Sequence, residues 1–197
     1  MSEIKVKKHR IAWCITGAGD KIKEIIDTMK QFKAESEGSV EIEVFVSKKA
    51  ETMLKFYQLE NDLKQSFAKV SVEANANSPF LAGIVQSGRY DFMLIMPGSS
   101  NSVAKIVNGI GDTLVTNSAI MALKAFVPVW VMPVDFKESV IYTKLPNGKD
   151  MKLRVRKEEA DQVRKLMQTE DVTVFENPEK VHKGLLEWLN TIKQQSV

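Results

Sequence analysis

The sequence predicts an α/β fold in three layers, a mainly parallel sheet between helices, with a small β-hairpin excursion. Two observations predict it. Over the first 135 residues, short apolar runs alternate with amphipathic stretches, the pattern of consecutive βαβ units. Right-handed crossovers then place helices on both faces of the sheet. Later, Ile141 to Lys144 and Met151 to Val155 flank Pro146-Asn147-Gly148, and an Asn-Gly pair suits a hairpin turn that requires positive φ. At 197 residues one domain spanning 1–197 is expected, since splitting begins at roughly 250 residues. The hairpin excursion occupies about 138–156 and is a candidate subunit contact or flap.

The first strand is Arg10 to Ile15, which runs into Thr16-Gly17-Ala18-Gly19-Asp20. Ile22, Ile25, Ile26, Met29 and Phe32 follow at helical spacing, and Gly38 ends that helix. Val40, Ile42, Val44 and Val46 alternate with Glu41, Glu43 and Phe45 as a second strand. Ser47 then stands like an N-cap before a lysine-rich helix; a cap serine and a phosphate ligand look alike in sequence, and both roles can hold together. Leu59 to Phe67 reads as another helix, Val70 to Val72 as a short extended piece, and Asn75 to Phe80 as a turn with Pro79 at a helix start. The run Asp91 to Met96 is a strand, followed by Pro97-Gly98-Ser99-Ser100-Asn101-Ser102 and a helix from Val103. Thr113 to Ala125 is helical, Val127 to Pro133 is a buried strand, and after the hairpin come a helix, a strand at Val172 to Phe175 and a last helix from Pro178. The stripe Leu185, Leu186, Trp188, Leu189 and Ile192 on that last helix belongs to the core or to an oligomer contact.

An apolar fraction of 44% and a charged fraction of 27% describe an ordinary globular chain and argue against disorder. The formal charge is +3. Its basic cluster, Lys5, Lys7, Lys8, His9 and Arg10, reads as a solvated arm without the dense basic face that nucleic-acid binding needs. The single cysteine, Cys14, precludes an intramolecular disulfide and a multi-cysteine metal site, and its apolar neighbours suggest a buried, inert thiol. His9 and His182 have no second ligand near them in sequence, so no metal is expected. No apolar stretch reaches the roughly 20 residues of a membrane span and the N-terminus is not signal-like; a cytoplasmic protein without a membrane or nucleic-acid partner is expected.

Two strand ends carry the chemistry. Open α/β sheets bind ligands in the crevice beyond the carboxyl ends of their strands. Gly17 and Gly19 remove Cβ atoms where backbone amides would approach a phosphate at a helix start. The third glycine of a dinucleotide loop and the Gly-Lys-Ser/Thr ending of a triphosphate loop are both missing. The second strand ends in Ser47 and Lys48 where a ribose-binding site would carry an acidic residue, which fits a mononucleotide better. Ser99, Asn101 and Ser102 supply donors and acceptors without bulk, suited to a ribityl chain or a planar heterocycle. Lys105 and Asp112 read as a surface pair or as helix-end charges. No Ser-His-Asp or Cys-His arrangement is available, and no carboxylate pair sits in a strand-end loop.

Ile15 to Gly19, Pro97 to Ile106 and Asn108 to Leu114 resemble the signatures of the flavoprotein superfamily of homo-oligomeric flavin-containing cysteine decarboxylases. Within it, Gly17 to Lys21, Asn75 to Phe80 and Asp112 to Asn117 are most similar to the archaeal flavoprotein and acceptor-type dihydromethanopterin reductase branch. The resemblance implies a Rossmann-like sheet and noncovalent FMN held between subunits of a homo-oligomer built from trimers. Thr16, Gly17, Ala18, Gly19 and Ser47 would lie toward the phosphate and ribityl end. Pro97, Gly98, Ser99, Asn101 and Ser102 would meet the ribityl chain or ring, and Asn77 would approach from a neighbouring subunit. The implied activity is an FMN-binding oxidoreductase that reduces a pterin or relays electrons with a soluble carrier such as ferredoxin, with Lys105 or water as proton source. The decarboxylase pattern departs here, because the chain reads Met132-Pro133-Val134-Asp135 after the fifth strand and has no cysteine beyond Cys14. A flavin prenyltransferase, for which Arg89, Lys105 and Lys124 are the basic candidates, and a noncatalytic flavin carrier are the alternatives.

Overall fold

A computed structural model describes residues 8–145 and 147–195; Lys5, Lys7 and the hairpin's Pro146 fall outside them. In chain order the elements are β1 (His9–Ile15), α1 (Ile22–Glu35), β2 (Val40–Val46), α2 (Lys48–Phe56), α3 (Glu60–Ser66), β3 (Lys69–Val72), α4 (Leu81–Gln86) and β4 (Phe92–Gly98). Then follow α5 (Ser100–Val107), α6 (Leu114–Lys124), β5 (Val129–Pro133), β6 (Ser139–Lys144), β7 (Asp150–Val155), α7 (Lys157–Leu166), β8 (Val172–Val174) and α8 (Pro178–Gln195). Six strands form a parallel sheet in the order β3-β2-β1-β4-β5-β8, and β6 and β7 pair as a separate antiparallel hairpin. The α/β reading with a hairpin excursion is therefore observed.

Each face of the sheet has its own apolar layer. On one, Ile11, Trp13 and Ile15 of β1 pack with Ile25, Met29 and Phe32 of α1 and with Val181, Leu185 and Leu189 of α8. The stripe on α8 is thus intrachain core. On the other, Ala12, Cys14, Met93 and Ile95 meet Leu81, Val103, Leu114, Ala119 and Val163 from α4 to α7. Trp130 also belongs inside the chain, stacked on Phe92 at 4.2 Å between ring centroids and tilted against Phe175. Phe126, in contrast, is 84% exposed at a left-handed φ of 58°.

Two boundaries differ from expectation. β4 continues through Pro97 to Gly98, because Gly98 pairs with Pro133 and its carbonyl accepts from Val134 N at 3.0 Å. A Cβ at Gly98 would stand 3.1 Å from Val131 Cγ1 and 3.3 Å from Met132 O, so glycine lets the two strands run on side by side without a shift. α5 then starts at Ser100 rather than Val103, since Ser99 has the extended backbone of an N-cap and its hydroxyl accepts from Ser102 N. Asn101 and Ser102 are consequently first-turn helical residues.

Glu43 departs from the solvent-facing role that alternation suggests. It is only 7% exposed and takes hydrogen bonds from Tyr90 Oη at 2.7 Å, Arg89 at 2.8 Å and Lys69 at 3.0 Å. Burial pushes its carboxyl up, but those three donors outweigh it and hold it below the usual carboxylate range.

Candidate functional site

In the strand order, β1 lies between β2 and β4, so the chain switches direction across the sheet at β1. Such a switch leaves the connections on either side diverging, and a crevice opens at the strands' carboxyl ends. Both glycine-bearing loops that the sequence singles out end at that point.

Thr16 joins them. Its Oγ1 donates to Pro97 O at 2.7 Å and accepts from Ser99 N at 2.8 Å, while its backbone N–H also reaches Pro97 O at 3.2 Å. Thr16 is 2% exposed, so its hydroxyl is a structural tie with both roles filled. Ala18 N closes a tight turn on Thr16 O at 2.8 Å. The glycines have a reason within the chain: a Cβ on Gly17 would come within 2.6 Å of Lys49 Cβ, and one on Gly19 within 2.7 Å of the Tyr57 ring. The loop is pressed against the start and the end of α2.

Helix starts converge on this end of the sheet, and most bring their own caps. Ser47 Oγ accepts from Ala50 N at 3.2 Å at the start of α2, which leaves its hydroxyl hydrogen to donate. Ser99 caps α5, with its Oγ 3.0 Å from that of Ser102. Thr113 caps α6 in a reciprocal arrangement with Thr116. α1 is different: its N-cap residue, Lys21, is left-handed with φ 54° and makes no side-chain cap. Ile22 N turns back to Gly19 O at 3.3 Å, and beyond it the positive end of the helix dipole favours an anion there.

Sequence reasoning missed Glu73. It directly follows β3, is 9% exposed, and accepts from Lys48 N and Leu114 N at 2.8 Å each. One carboxylate thereby fixes the first residues of α2 and α6. A strand-end rule applied to acidic residues would have found it, and would also have found Asp135 just beyond β5. Asp135 accepts a hydrogen bond from Ser100 Oγ. Asp20 lies in its field; burial first, then the Asp135 charge, raises the Asp20 carboxyl, with Lys21 pulling the other way.

The predicted residues separate into groups. Thr16, Pro97, Ser99 and Ser102 form one hydrogen-bonded unit, with Gly17, Ala18, Gly19 and Gly98 in its loops, and Ser47 is attached through its N–H to Ile15 O at 3.0 Å. Asn77 belongs to a second group, its Oδ1 accepting from Asn117 Nδ2 of the same chain at 3.0 Å. Asn101 is exposed and lines a cleft of about 410 Å³ between α5 and α7 with Ser100, Ala104, Arg156, Glu158, Glu159 and Gln162. Lys105 pairs with Asp112 at 2.8 Å, the surface reading. Cys14 is buried and its thiol is pushed up by burial, as an inert group would be. Among the described residues, no helix is long and apolar enough to cross a membrane.

Comparison with known proteins adds a family. The Flavoprotein model matches residues 2–191. An uncharacterised protein of Methanocaldococcus jannaschii is 40% identical over 186 residues, covering 94% of this chain and 99% of that one. A dihydromethanopterin reductase (acceptor) of the same organism is 31% identical over 232 residues, covering 87% of this chain and 94% of the relative. Among solved structures, Burkholderia xenovorans DmrB in complex with FMN, a cubic protein cage for redox transfer, superposes with a TM-score of 0.80 at 31% identity, covering 95% of this chain and 98% of DmrB. A dodecameric FMN-dependent UbiX-like decarboxylase from Escherichia coli O157:H7 shares the fold, with a TM-score of 0.61 at 18% identity.

Proposed function

Because this chain belongs to the Flavoprotein family, we propose that it binds FMN noncovalently in the β1–β4 crevice and acts as a dihydromethanopterin reductase (acceptor)-like oxidoreductase, reducing a pterin or relaying electrons with a soluble carrier such as ferredoxin. The observation that carries this reading is the Thr16 tie, which holds the two strand-end loops together at the topological switch. The residues present fit the group. The start of α1, which has no side-chain cap, offers the positive end of its dipole to a phosphate, and Ser47 has a hydroxyl hydrogen to give. Ser99, Ser102 and the exposed Asn101 amide suit a polyol chain and a heteroaromatic edge.

Bound flavin supplies the electron-transfer chemistry, and the protein supplies its orientation and electrostatics. In this chain the capped starts of α2, α5 and α6 and the Glu73 bridge fix the walls before any ligand arrives, so little ordering is left for binding. Burial raises the Asp20 carboxyl, and Lys105 is held by Asp112, so the proton that pterin reduction needs comes in this reading from water.

The prenyltransferase alternative draws no support from its basic candidates. Arg89 is taken by Glu43, Lys105 by Asp112, and Lys124 ends α6 just ahead of β5, toward the strands' amino ends and away from the crevice. A homo-oligomer built from trimers belongs to the proposal, supported by the exposed Phe126 and Phe80 and by the cage that DmrB forms; light scattering at matched concentration tests it. A cytoplasmic location is part of the same reading.

The test is a visible spectrum after adding FMN and removing unbound ligand, followed through stepwise anaerobic reduction. About one FMN per chain with reversible bleaching is expected. No retained flavin would sink the reading, and retained flavin that turns over with neither pterins nor ferredoxin would leave a noncatalytic carrier.

A further inference from the structure

We propose that β6 is an assembly edge, pairing antiparallel with β6 of a second copy across a two-fold axis so that two hairpins make one continuous sheet in the order β7-β6-β6-β7. The inference stands apart from the flavin reading and from the trimer contact, and uses neither the crevice nor Phe80 and Phe126. The hairpin is a two-stranded sheet that joins no strand of the main one. Such a sheet is marginal at best in water, and gains stability from further strands or a covering layer. Its side chains are correspondingly bare: Val140 is 49% exposed, Leu153 45% and Tyr142 72%. The register sets Ile141 opposite Leu153 on one face, and Val140 opposite Arg154 and Tyr142 opposite Lys152 on the other. Lys152 Nζ lies 5.7 Å from the centre of the Tyr142 ring.

The two edges of the hairpin are unlike. β7 carries Asp150, Lys152 and Arg154 at alternate positions, and charges of this kind, lysine above all, keep a strand edge from pairing. β6 has no charge from Ser139 to Thr143, and its valine, isoleucine, tyrosine and threonine are residues that favour strands. Its backbone edge is free as well. At the turn Leu145 N donates to Lys149 O at 2.9 Å, which sets the hydrogen-bonded pairs with β7 at Ile141 and at alternate residues on either side of it. Val140 and Tyr142 therefore turn their N–H and C=O groups outward, and among the described residues those groups have no other backbone partner.

The charges select a second copy as the occupant and fix its register. Glu138 stands just before β6 and Lys144 ends it. With Ile141 on the two-fold axis, Glu138 falls opposite the partner's Lys144, and the symmetry repeats that pair at the other end. Val140 then falls opposite the partner's Tyr142 with their outward backbone groups facing each other, a β-branched residue against an aromatic one, which is a favourable cross-strand pair. Moving the axis to Val140 or Tyr142 keeps every side chain on its face but separates the opposite charges. The contact is isologous and leaves only the charged β7 edges outside, so pairing stops at two hairpins instead of running on as a filament.

Sedimentation velocity of the full-length protein at matched protomer concentration is the experiment. Tyr142→Pro removes an outward N–H that β7 does not use, and should lower the mass of the assembly about twofold or more. Lys152→Pro makes the same change on the β7 edge and should leave the mass as in wild type. Glu138→Lys should weaken assembly about tenfold or more by setting like charges opposite each other, and adding Lys144→Glu to it should restore assembly. A monomeric wild type, an unchanged mass in Tyr142→Pro, or an equal fall in both proline variants would overturn the contact. A charge-reversed double variant that does not reassemble would overturn the register with Ile141 on the axis. Should a proline variant fail to fold, the charge reversal decides, since Glu138 is exposed and lies outside the strand.

Discussion

Replacing Thr16 by valine tests the tie between the two loops. Valine keeps the volume of threonine almost unchanged, so no cavity forms, and the loss is confined to the hydroxyl. Pro97 O keeps the backbone N–H of Thr16 at 3.2 Å, but Ser99 N loses its acceptor at 2.8 Å. Leaving one such donor unpaired costs about 1–3 kcal/mol, and about 2 kcal/mol is expected here because Ser99 is only half-buried. For a chain of this size that is about 4–8 °C in Tm. Urea unfolding at matched protomer concentration measures it, with an unchanged m-value showing that the effect is on stability. Thr16→Ser should recover most of the loss, and FMN retention should follow the same order: wild type, then serine, then valine. A valine variant within about 0.5 kcal/mol of wild type would refute the idea that this hydroxyl holds the loops together.

Glu73→Gln keeps the shape but removes the charge between two helix starts, and about 1–2 kcal/mol of destabilisation in urea is expected. Gly17→Ala should cost about 1–3 kcal/mol, more than Gly19→Ala, because Lys49 Cβ is fixed to the backbone of α2 whereas the Tyr57 ring can swing away; Tyr57→Ala should rescue the Gly19 variant and not the Gly17 one. Hydrogen bonds from Lys69 and Arg10 hold the Glu41 carboxyl at about 2, below its unfolded value, so the stability it contributes is present above the unfolded value and is lost as pH falls through the folded one. Glu41→Gln should therefore be less stable than wild type by about 1 kcal/mol at pH near 6, allowing for screening, with the gap closing toward about pH 2. An equal gap at both ends of that range would show that the charge is not what Glu41 contributes.

The parts of the site legible in sequence are those whose cause is local. An apolar run that meets small polar residues marks a strand end, and Ser47, placed just before amphipathic periodicity, marks a cap. Glu73 was hidden because its meaning depends on Leu114, 41 positions away, whose N–H points at it only after α6 has folded back over the sheet. Glu43 was hidden in the same way, its three donors coming from β3 and the turn before β4. Pro97 and Gly98 show the opposite error: two residues that usually break structure extend β4, because the partner strand β5 offers them pairing and the glycine removes a clash.

The same long-range contacts explain why one helix start differs from its neighbours. Ser47 with Glu73 serves α2, Ser99 serves α5, and Thr113 with Glu73 serves α6, so three of the helix starts around the crevice already have the acceptors they need. A ligand phosphate arriving at any of these would have to displace a hydroxyl or compete with a carboxylate. At α1 no hydroxyl caps the helix, the Asp20 carboxylate takes the Lys21 backbone N–H just outside it, and the entry is a left-handed lysine behind two glycines pressed flat against α2. An ionised Asp20 raises the cost of an anion there, and burial, which pushes its carboxyl up, works against that charge. In the proposed holoprotein the phosphate and Asp20 would then be linked. Binding of the anion raises the aspartate further, and a protonated aspartate becomes a donor instead of a repelling charge. FMN affinity should consequently increase as pH is lowered through the Asp20 titration, and Asp20→Asn should bind as tightly at neutral pH as wild type does when acidified. An affinity that is flat with pH in wild type and unchanged in the asparagine variant would separate Asp20 from the phosphate and move the anion away from the start of α1.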